Sequence, residues 1–447
     1  MKPQSTIQII VAVLAYAAIM TPASKAQQQA AIDSGTRSEV SDMLRCAYEE
    51  VSKHYYDPKL QGIDWDARYK QYAGRIGNAP NLGEGYRIVA AFLSGLKDSH
   101  TFFVPPSRAA RYDSGYRYAL VGNEAFITQV RPNTDAAAKL HIGDKIFGMN
   151  GFKVDREDFH DVEYYFNTLS PQMSMRFDLQ SPAGESRQVV VAATAKPTKK
   201  VMDLTGGQDY YDLIRQDENE DHATRSQIVT QGDIAIWKLQ QFFPDGSQLA
   251  IDQVEKAIGI ARKHKALILD LRGNPGGSIE MLRLLVGSLF DREIKIGDQV
   301  GRKEKDSKPL KALRHGQTFD GKLIVLVDSG SASCSELLAR IVQLEHRGTV
   351  IGDRSAGAVM EARYYPQSTG ADTKIFFGVQ VTSANLIMSD GKSLEKNGVT
   401  PDEMLLPTAS DLAAGRDPVL ARAVELAGGK LDAEAAGKMF PFEWLPI

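Results

Sequence analysis

Residues 323–340 form the sequence LIVLVDSGSASCSELLAR, and this stretch decides the predicted fold. Its first five residues are apolar and mostly branched, which predicts a buried β-strand over residues 323–327. Small and polar residues then break the apolar run, and the apolar spacing that follows predicts a helix from about Glu336. A strand, a tight turn and a helix place the hydroxyl of Ser333 at a helix N-terminus, where unpaired N–H groups stabilise developing negative charge.

The same turn has a simpler interpretation. Ser333 and Glu336 also fit a capping box, in which the serine only caps the helix. Taken alone, capping is the commoner explanation, because capping boxes are frequent. Cys334 lies in this turn too, and we interpret it as a small residue that supplies a backbone N–H rather than as a nucleophile. The rest of the chain has to decide between the two interpretations.

Composition narrows the classes of protein that need to be considered. The chain has 447 residues, of which 43% are hydrophobic and 24% charged, as in ordinary globular proteins. This length predicts about two to four domains. The formal net charge of −3 favours neither nucleic acid nor an anionic membrane as a partner. The two cysteines, Cys46 and Cys334, do not make a disulfide framework.

The N-terminal residues have the pattern of a signal peptide. Lys2 precedes an apolar run over residues 7–20, and Ser24 and Ala26 are the small residues that a cleavage site needs. A single membrane anchor is the alternative, but the run is shorter than the roughly 20 residues of a spanning helix. We therefore expect cleavage near Ala26, export to the periplasm or outside the cell, and no membrane span in the mature chain.

Texture along the chain predicts a multidomain α/β fold. Three helical patterns come first, then a strand-rich region, then alternating strands and helices that predict a mostly parallel sheet. Residues 27–36 are predicted to be disordered, residues 195–207 to form a linker and residues 216–222 to form a solvated acidic loop. The predicted units are a signal peptide (1–26), an N-terminal helical domain (37–112), a β-rich domain (113–197) and an α/β core (198–447).

Three further sites carry residues suited to chemistry. Residues 270–277, DLRGNPGG, leave a buried strand, and their glycine pair lets backbone N–H groups approach a substrate closely. A phosphate loop is excluded there because no Lys-Ser/Thr follows the glycines. His100, after Ser99, offers a base, and Glu395 offers a carboxylate. Each also has a structural alternative: a helix-capping histidine, an N-cap serine and a solvated glutamate.

With these motifs the chain resembles the S41 family of serine peptidases, which includes tail-specific processing proteases and a tricorn-like branch. The resemblance extends over nearly all residues after 37 and implies a β-α-β core of the ClpP/crotonase-like type. It implies that Ser333 is the nucleophile and that the N–H groups of Cys334 and Gly276 form the oxyanion hole. Gly277 would lie beside the substrate. No metal or organic cofactor is implied, and the expected partner is a peptide or protein substrate.

One position departs from the tail-specific branch. Where that branch has its catalytic lysine, this chain has Ala358. The tricorn-like branch uses a Ser-His pair instead, which implies His100 as the base, with Ser99 and Glu395 orienting the imidazole. Two alternatives stay open: another lysine, such as Lys374 or Lys392, acts as the base, or the chain is an inactive relative that binds peptides or apolar ligands.

Residues 113–197 resemble a PDZ domain of the kind found in bacterial proteases. The most specific part is Ile142-Gly143-Asp144 with Asn150-Gly151. Such domains bind a peptide as an added strand and capture its C-terminal carboxylate on backbone N–H groups. Here Leu120, Val121 and Gly122 occupy the place of the carboxylate-binding loop, without its usual Gly-Leu-Gly-Phe-like character. A packing module with no ligand is the alternative.

Overall fold

The computed structural model describes residues 32–108, 110–197, 226–242, 248–370 and 374–444. The predicted signal peptide and the acidic stretch 216–222 lie outside these residues. Within them, none of the helices combines the length and the apolar character that crossing a bilayer requires. The observed architecture is a mixture of helices and sheets, which confirms the predicted fold class.

The N-terminal part is helical, as predicted, and packs around its own apolar core. The buried face of the first helix consists of the five residues that its spacing predicts, which include Val40 and Val51. The prediction of disorder is wrong for residues 34–36, because Asp33 accepts a hydrogen bond from the backbone of Thr36 and caps a helix that already begins at Ser34. Residues 27–31 lie outside the described residues. The helices are α1 (Ser34–His54), α2 (Trp65–Ile76) and α3 (Leu82–Leu93).

A short strand joins this helical part to the core. Strand β1 (Phe102–Val104) follows His100 by two positions and pairs antiparallel with the long strand β18 (Ile375–Met388). Phe103 and Val379 are partners in this ladder and are both buried. The segment that carries His100 is therefore held by a β-sheet and not only by side-chain packing.

Residues 195–197 form a strand rather than the predicted linker. Strand β9 (Thr194–Pro197) pairs antiparallel with β2 (Ala110–Asp113), so backbone hydrogen bonds close the base of the β-rich part. The proline at the end of β9 obscured this strand in the sequence, because proline is typical of edges and linkers.

The β-rich part between these two strands is a twisted antiparallel sheet with the order β3-β4-β5-β7-β8. Strand β3 lies at one edge, and a separate apolar core under the sheet includes Leu120, Phe159 and Phe177. The elements are β3 (Tyr116–Val121), β4 (Glu124–Val130), α4 (Asp135–Lys139), β5 (Lys145–Met149), β6 (Phe152–Lys153), α5 (Phe159–Tyr164), β7 (Ser174–Gln180) and β8 (Ser186–Ala192).

The core is a six-stranded sheet in which the neighbours from β11 onward run parallel, as predicted. Every residue of the predicted strand 323–327 is buried, and each such side chain contributes about 1.5–3 kcal/mol. The strands are β10 (Gln227–Gln231), β11 (Ile234–Lys238), β12 (Ala266–Asp270), β15 (Lys322–Val327), β16 (Gly348–Gly352) and β19 (Glu403–Met404). Helices α6 (Gln248–Ala261), α7 (Ile279–Leu289) and α8 (Cys334–Leu344) belong to one face, and α10 (Pro418–Leu426) covers the other.

A further antiparallel sheet contains β1 and β18, and the sequence did not reveal most of it. Its additional strands are β13 (Ile294–Gly301), β14 (Lys308–Ala312) and β17 (Met360–Thr369). The short helices α9 (Ala409–Ala413) and α11 (Ala433–Gly437) complete the C-terminal part. This sheet positions the candidate base, because β18 carries β1.

Candidate active site

Ser333 stands in the turn between β15 and α8 with an unusual backbone conformation. Its φ is 52° and its ψ is −116°. An ordinary N-cap residue has extended backbone dihedrals, and a non-glycine residue in a sparsely populated region costs of order 1–3 kcal/mol. Such strain is typical of functional sites and favours a chemical role for Ser333 over simple capping.

Glu336, on the first turn of α8, holds this strained turn in place. Its carboxylate accepts hydrogen bonds from the N–H of Ser333 (3.0 Å), Gly357 (2.7 Å) and Ala358 (2.9 Å), and from the hydroxyl of Ser355 (2.6 Å). Burial raises the pKa of Glu336 to about 7, although these donors oppose the rise. The sequence indicated Glu336 only as half of a capping box, and its fourfold role depends on a loop twenty residues away that spacing does not reveal.

The glycine pair after β12 lies directly against Ser333. A Cβ on Gly276, whose φ is 96°, would lie 2.6 Å from the Ser333 Cβ and 3.0 Å from the Cys334 nitrogen. Gly277 forms a parallel bridge with Phe242. Glycine is needed at position 276 because any side chain there would collide with Ser333. The predicted close approach of these glycines to a substrate stays a prediction.

The two candidate oxyanion donors differ in their present partners. The N–H of Gly276 donates to the Asn274 side-chain oxygen at 2.8 Å. The N–H of Cys334 lies at the N-terminus of α8, where the helix dipole adds to its effect on an anion. The Gly276 N–H can therefore donate to an oxyanion only if its hydrogen bond to Asn274 breaks. The N–H of Gly277, the next residue in the same loop, is another candidate donor.

His100, Ser99 and Glu395 form a hydrogen-bonded chain. The Ser99 hydroxyl lies 2.7 Å from His100 Nδ1 and donates to Glu395 Oε2 at 2.9 Å, while the Ser99 N–H donates to Glu395 Oε1 at 2.7 Å. A hydroxyl has one hydrogen, so a serine that donates to the carboxylate accepts from Nδ1–H. The lone pair of the imidazole is then on Nε2, which is the form that a general base needs.

Burial shifts the pKa values of His100 and Glu395, the two titratable groups of the Ser99–His100–Glu395 chain, in opposite directions. It lowers the pKa of His100, an effect that the nearby Asp98 carboxylate opposes. It raises the pKa of Glu395, although hydrogen bonds from Val359 and Ser99 oppose the rise. Both shifts follow from the cost of burying a charge, and a neutral histidine at physiological pH is the consequence.

One short segment connects the Ser99–His100–Glu395 chain to the serine turn. Ala358 accepts a hydrogen bond from the Ser333 N–H at 2.9 Å, and the next residue, Val359, donates to Glu395 Oε2 at 2.9 Å. Among the described residues, no direct hydrogen bond joins the His100 imidazole to the Ser333 hydroxyl. Catalytic hydrogen bonds often form only when substrate is bound, so this geometry is compatible with the predicted pair.

The three residues predicted to capture a peptide carboxylate lie against the core. The Leu120 carbonyl accepts from the Ser329 hydroxyl at 2.7 Å. The N–H of Gly122 donates to the Asp353 carboxylate at 2.8 Å. Val121 lines a cavity of about 380 Å³, shared with residues 406–409, and neither Ser333 nor His100 lines that cavity. In this structure the Gly122 N–H is already bound to a carboxylate of the same chain.

Comparisons with known proteins agree with this architecture. Residues 233–405 match the model of peptidase family S41, and residues 36–84 match the Tricorn protease C1 domain. The carboxy-terminal-processing protease of Bartonella bacilliformis is 31% identical over 194 residues, 42% of this chain. The chloroplastic C-terminal processing peptidase of Tetradesmus obliquus is 25% identical over 388 residues, covering 81% of this chain and 76% of that protein.

A solved structure resembles this fold over most of its length. The crystal structure of mature CPAF superposes with a TM-score of 0.64 and 15% identity, covering 85% of this chain and 94% of that one. In the comparison with the Bartonella bacilliformis protease, by contrast, the matched stretch spans only 43% of the length of that protein. The S41 match contains Gly276, Ser333 and Glu395. Residues 233–405 of this chain therefore match peptidase family S41, a family of serine-type peptidases.

Proposed function

We propose that this protein is an exported serine endopeptidase that hydrolyses peptide bonds through an acyl-enzyme, with Ser333 as nucleophile and His100 as base. One observation supports the proposal most: the strained Ser333 turn and the Ser99–His100–Glu395 chain are tied to adjacent residues, Ala358 and Val359. Export rests on the predicted signal peptide at residues 1–26.

The chemistry follows from the hydrogen-bond directions. Ser333 Oγ attacks the carbonyl carbon while His100 Nε2 takes its proton, and N–H groups of Cys334 and of the glycine pair receive the oxyanion. The imidazolium returns the proton to the leaving amine, which leaves an ester on Ser333. Water, deprotonated by the same imidazole, then releases the acid product and restores the serine.

The β-rich part between residues 113 and 197 is proposed to present the substrate as a PDZ-like domain. Its strand β3 lies at the edge of the sheet, where an added peptide strand could pair, although its Leu120 carbonyl already accepts from Ser329. Capture of a C-terminal carboxylate at Gly122 would require the peptide to displace Asp353. Addition of a strand along β3 does not require a buried carboxylate to be displaced, so we favour it as the way in which a peptide binds.

Labelling with a fluorophosphonate probe, together with peptide hydrolysis, tests the proposal. The wild type is expected to react, Ser333→Ala to lose both signals, and His100→Ala to react about 10²- to 10⁴-fold more slowly, since general-base help is lost. Ser410→Ala, on the short helix α9, is the matched serine control. An intact Ser333→Ala protein with undiminished hydrolysis would overturn the assignment.

The two alternatives give different outcomes. An inactive peptide- or ligand-binding relative would leave the wild type unlabelled. A lysine base would leave His100→Ala fully active and make Lys374→Met or Lys392→Met inactive. Both lysines are exposed, whereas Ala358 occupies the usual lysine position and bonds to Ser333 through its backbone. This arrangement favours the histidine.

A further inference from the structure

We propose that Asp98 is a second positioning residue, which fixes the imidazole of His100 and stabilises its protonated form. The inference rests on the proposed function, because it assigns a role toward the proposed base. Asp98 lies outside the Ser99–Glu395 chain and reaches His100 through the backbone rather than through the ring.

The first observation is how Asp98 holds the backbone. Its Oδ1 accepts hydrogen bonds from the N–H of His100 at 3.0 Å and of Thr101 at 2.7 Å. A carboxylate that accepts from the residues two and three positions on forms an Asx-type turn. The backbone from which the imidazole projects is therefore set by Asp98, independently of Ser99 and Glu395.

The second observation is that the same oxygen is tied to the core. The Thr382 hydroxyl, on β18, donates to Asp98 Oδ1 at 2.8 Å, and the Thr101 hydroxyl donates to Thr382 Oγ1 at 3.0 Å. Thr101 and Thr382 are both buried. The turn that carries the base is thus pinned to the strand with which β1 pairs, so an error in its position would require rupture of a buried network.

The third observation concerns the other carboxylate oxygen. Asp98 Oδ2 is buried, and no well-aligned hydrogen bond reaches it among the described residues, although the neutral Tyr55 hydroxyl is close enough to interact with the Asp98 carboxylate. A buried charge without compensation is costly, and a positive charge nearby relieves that cost. His100 acquires such a charge when Nε2 takes the serine proton.

The phenols near Asp98 offer it at most a neutral hydroxyl, that of Tyr55, and not a positive charge. Burial and the Asp98 carboxylate raise the pKa of Tyr55. Burial also raises the pKa of Tyr56, with smaller contributions from Asp98 and Glu395, so both phenols stay neutral. Glu395 is a second anion, but the neutral Ser99 hydroxyl stands between it and the imidazole. Asp98 also opposes the lowering of the His100 pKa by burial.

The experiment measures the His100 titration by NMR in ¹³C-histidine-labelled full chain, assigned among the eight histidines with His100→Gln. Asp98→Asn keeps an acceptor oxygen but removes the charge, so the pKa of His100 should fall. The acid limb of the fluorophosphonate labelling rate should move to lower pH with it. The labelling plateau should fall about tenfold, since a charge-assisted contact becomes a neutral one.

Two variants separate electrostatic from merely structural effects. Thr382→Val removes the tether but keeps the Asp98 charge, so it should lower the labelling plateau without moving the acid limb. Asp64→Asn removes the N-cap carboxylate of α2, which binds Ala67 N–H, and should change neither quantity. If Asp98→Asn leaves the His100 titration unmoved, or if it cannot fold while Thr382→Val shifts the acid limb as well, the inference is overturned.

The failure of the proposed function would be recognised separately. The NMR titration needs no catalysis, so a shifted His100 pKa in Asp98→Asn with an unlabelled wild type would refute the peptidase proposal and the positioning role with it. A labelled wild type with identical titrations in both proteins would refute only the role of Asp98.

Discussion

Gly276 and Ser333 pack directly against each other at the candidate site. The backbone of Ser333 is strained, and Gly276 is packed so tightly against it that a single added carbon would overlap with the serine side chain. The proposed nucleophile is thus positioned from two sides, by its own turn and by a glycine in the loop that follows β12.

Gly276→Ala should abolish labelling of Ser333, because the new Cβ would lie 2.6 Å from the serine Cβ. Gly273→Ala is the matched control in the same loop: its φ of 70° is also positive, but nothing lies within 4 Å of an added Cβ. Both variants should lose about 1 kcal/mol of stability through backbone strain. Gly276→Ala should lose more because of the overlap with Ser333 and the Ala332 carbonyl, and only this variant should lose labelling. The check is probe labelling with thermal unfolding, and equal labelling of the two variants would contradict the packing argument.

At the scale of the element, α8 is stabilised at its first turn by a carboxylate that serves a distant loop. Glu336 combines the N-terminus of α8 with the Ser355–Ala358 backbone, so helix and loop depend on each other. Three of its four donors come from the loop that ends next to Val359, the residue bonded to Glu395, which makes Glu336 structurally central to the site.

Glu336→Gln should lower the free energy of unfolding by about 2–3 kcal/mol, because an amide presents N–H groups to buried N–H donors that then lack an acceptor. Glu345→Gln, at the other end of α8, loses only an ion pair with the exposed Arg292 and should cost less than about 0.5 kcal/mol. Urea unfolding of both variants makes the comparison. Equal destabilisation would mean that the four hydrogen bonds contribute little.

The elements differ in how far the sequence revealed them. The helices and β15 were predictable because apolar spacing sets their buried faces. Strands β13, β14 and β17 were not, since β14 and β17 contain prolines, which are unusual inside strands, and β13 also pairs with β18 far along the chain. At the site, local motifs indicated Ser333, Gly276 and His100, whereas Glu336 and Asp98 act through contacts that only the folded chain brings together.

At the scale of the whole molecule, a polar cluster takes part in docking the β-rich part on the core. Arg156 bonds to Asp353 at 2.8 Å and to the Gly122 carbonyl at 2.7 Å, and Asp353 also accepts from Gly122 N–H. Both charged side chains are mostly buried, at 13% and 8% exposure, so salt screens their attraction only weakly.

Asp353→Asn should release this contact without unfolding either part, because the amide cannot replace the shared charge. Hydrogen exchange at the Gly122 amide should accelerate about tenfold, the effect of roughly 1.4 kcal/mol. Asp113→Asn, which removes the ion pair with Arg131 inside the β-rich part, should leave Gly122 exchange unchanged. Unaltered exchange in Asp353→Asn would show that other contacts hold the two parts together.

The pairing of β1 with β18 has a consequence for the durability of the site. Ser99 and Glu395 are 296 positions apart in the sequence. The backbone hydrogen bonds between β1 and β18 nevertheless join the N-terminal helical part to the C-terminal half close to these residues. Moving the segment that carries His100 away from Glu395 therefore requires strand β1 to separate from β18, and a hinge motion alone is not enough. On heating, the arrangement of the candidate site should therefore be lost only when the surrounding domains unfold. At lower temperature the folded protein keeps these groups in place before a substrate binds.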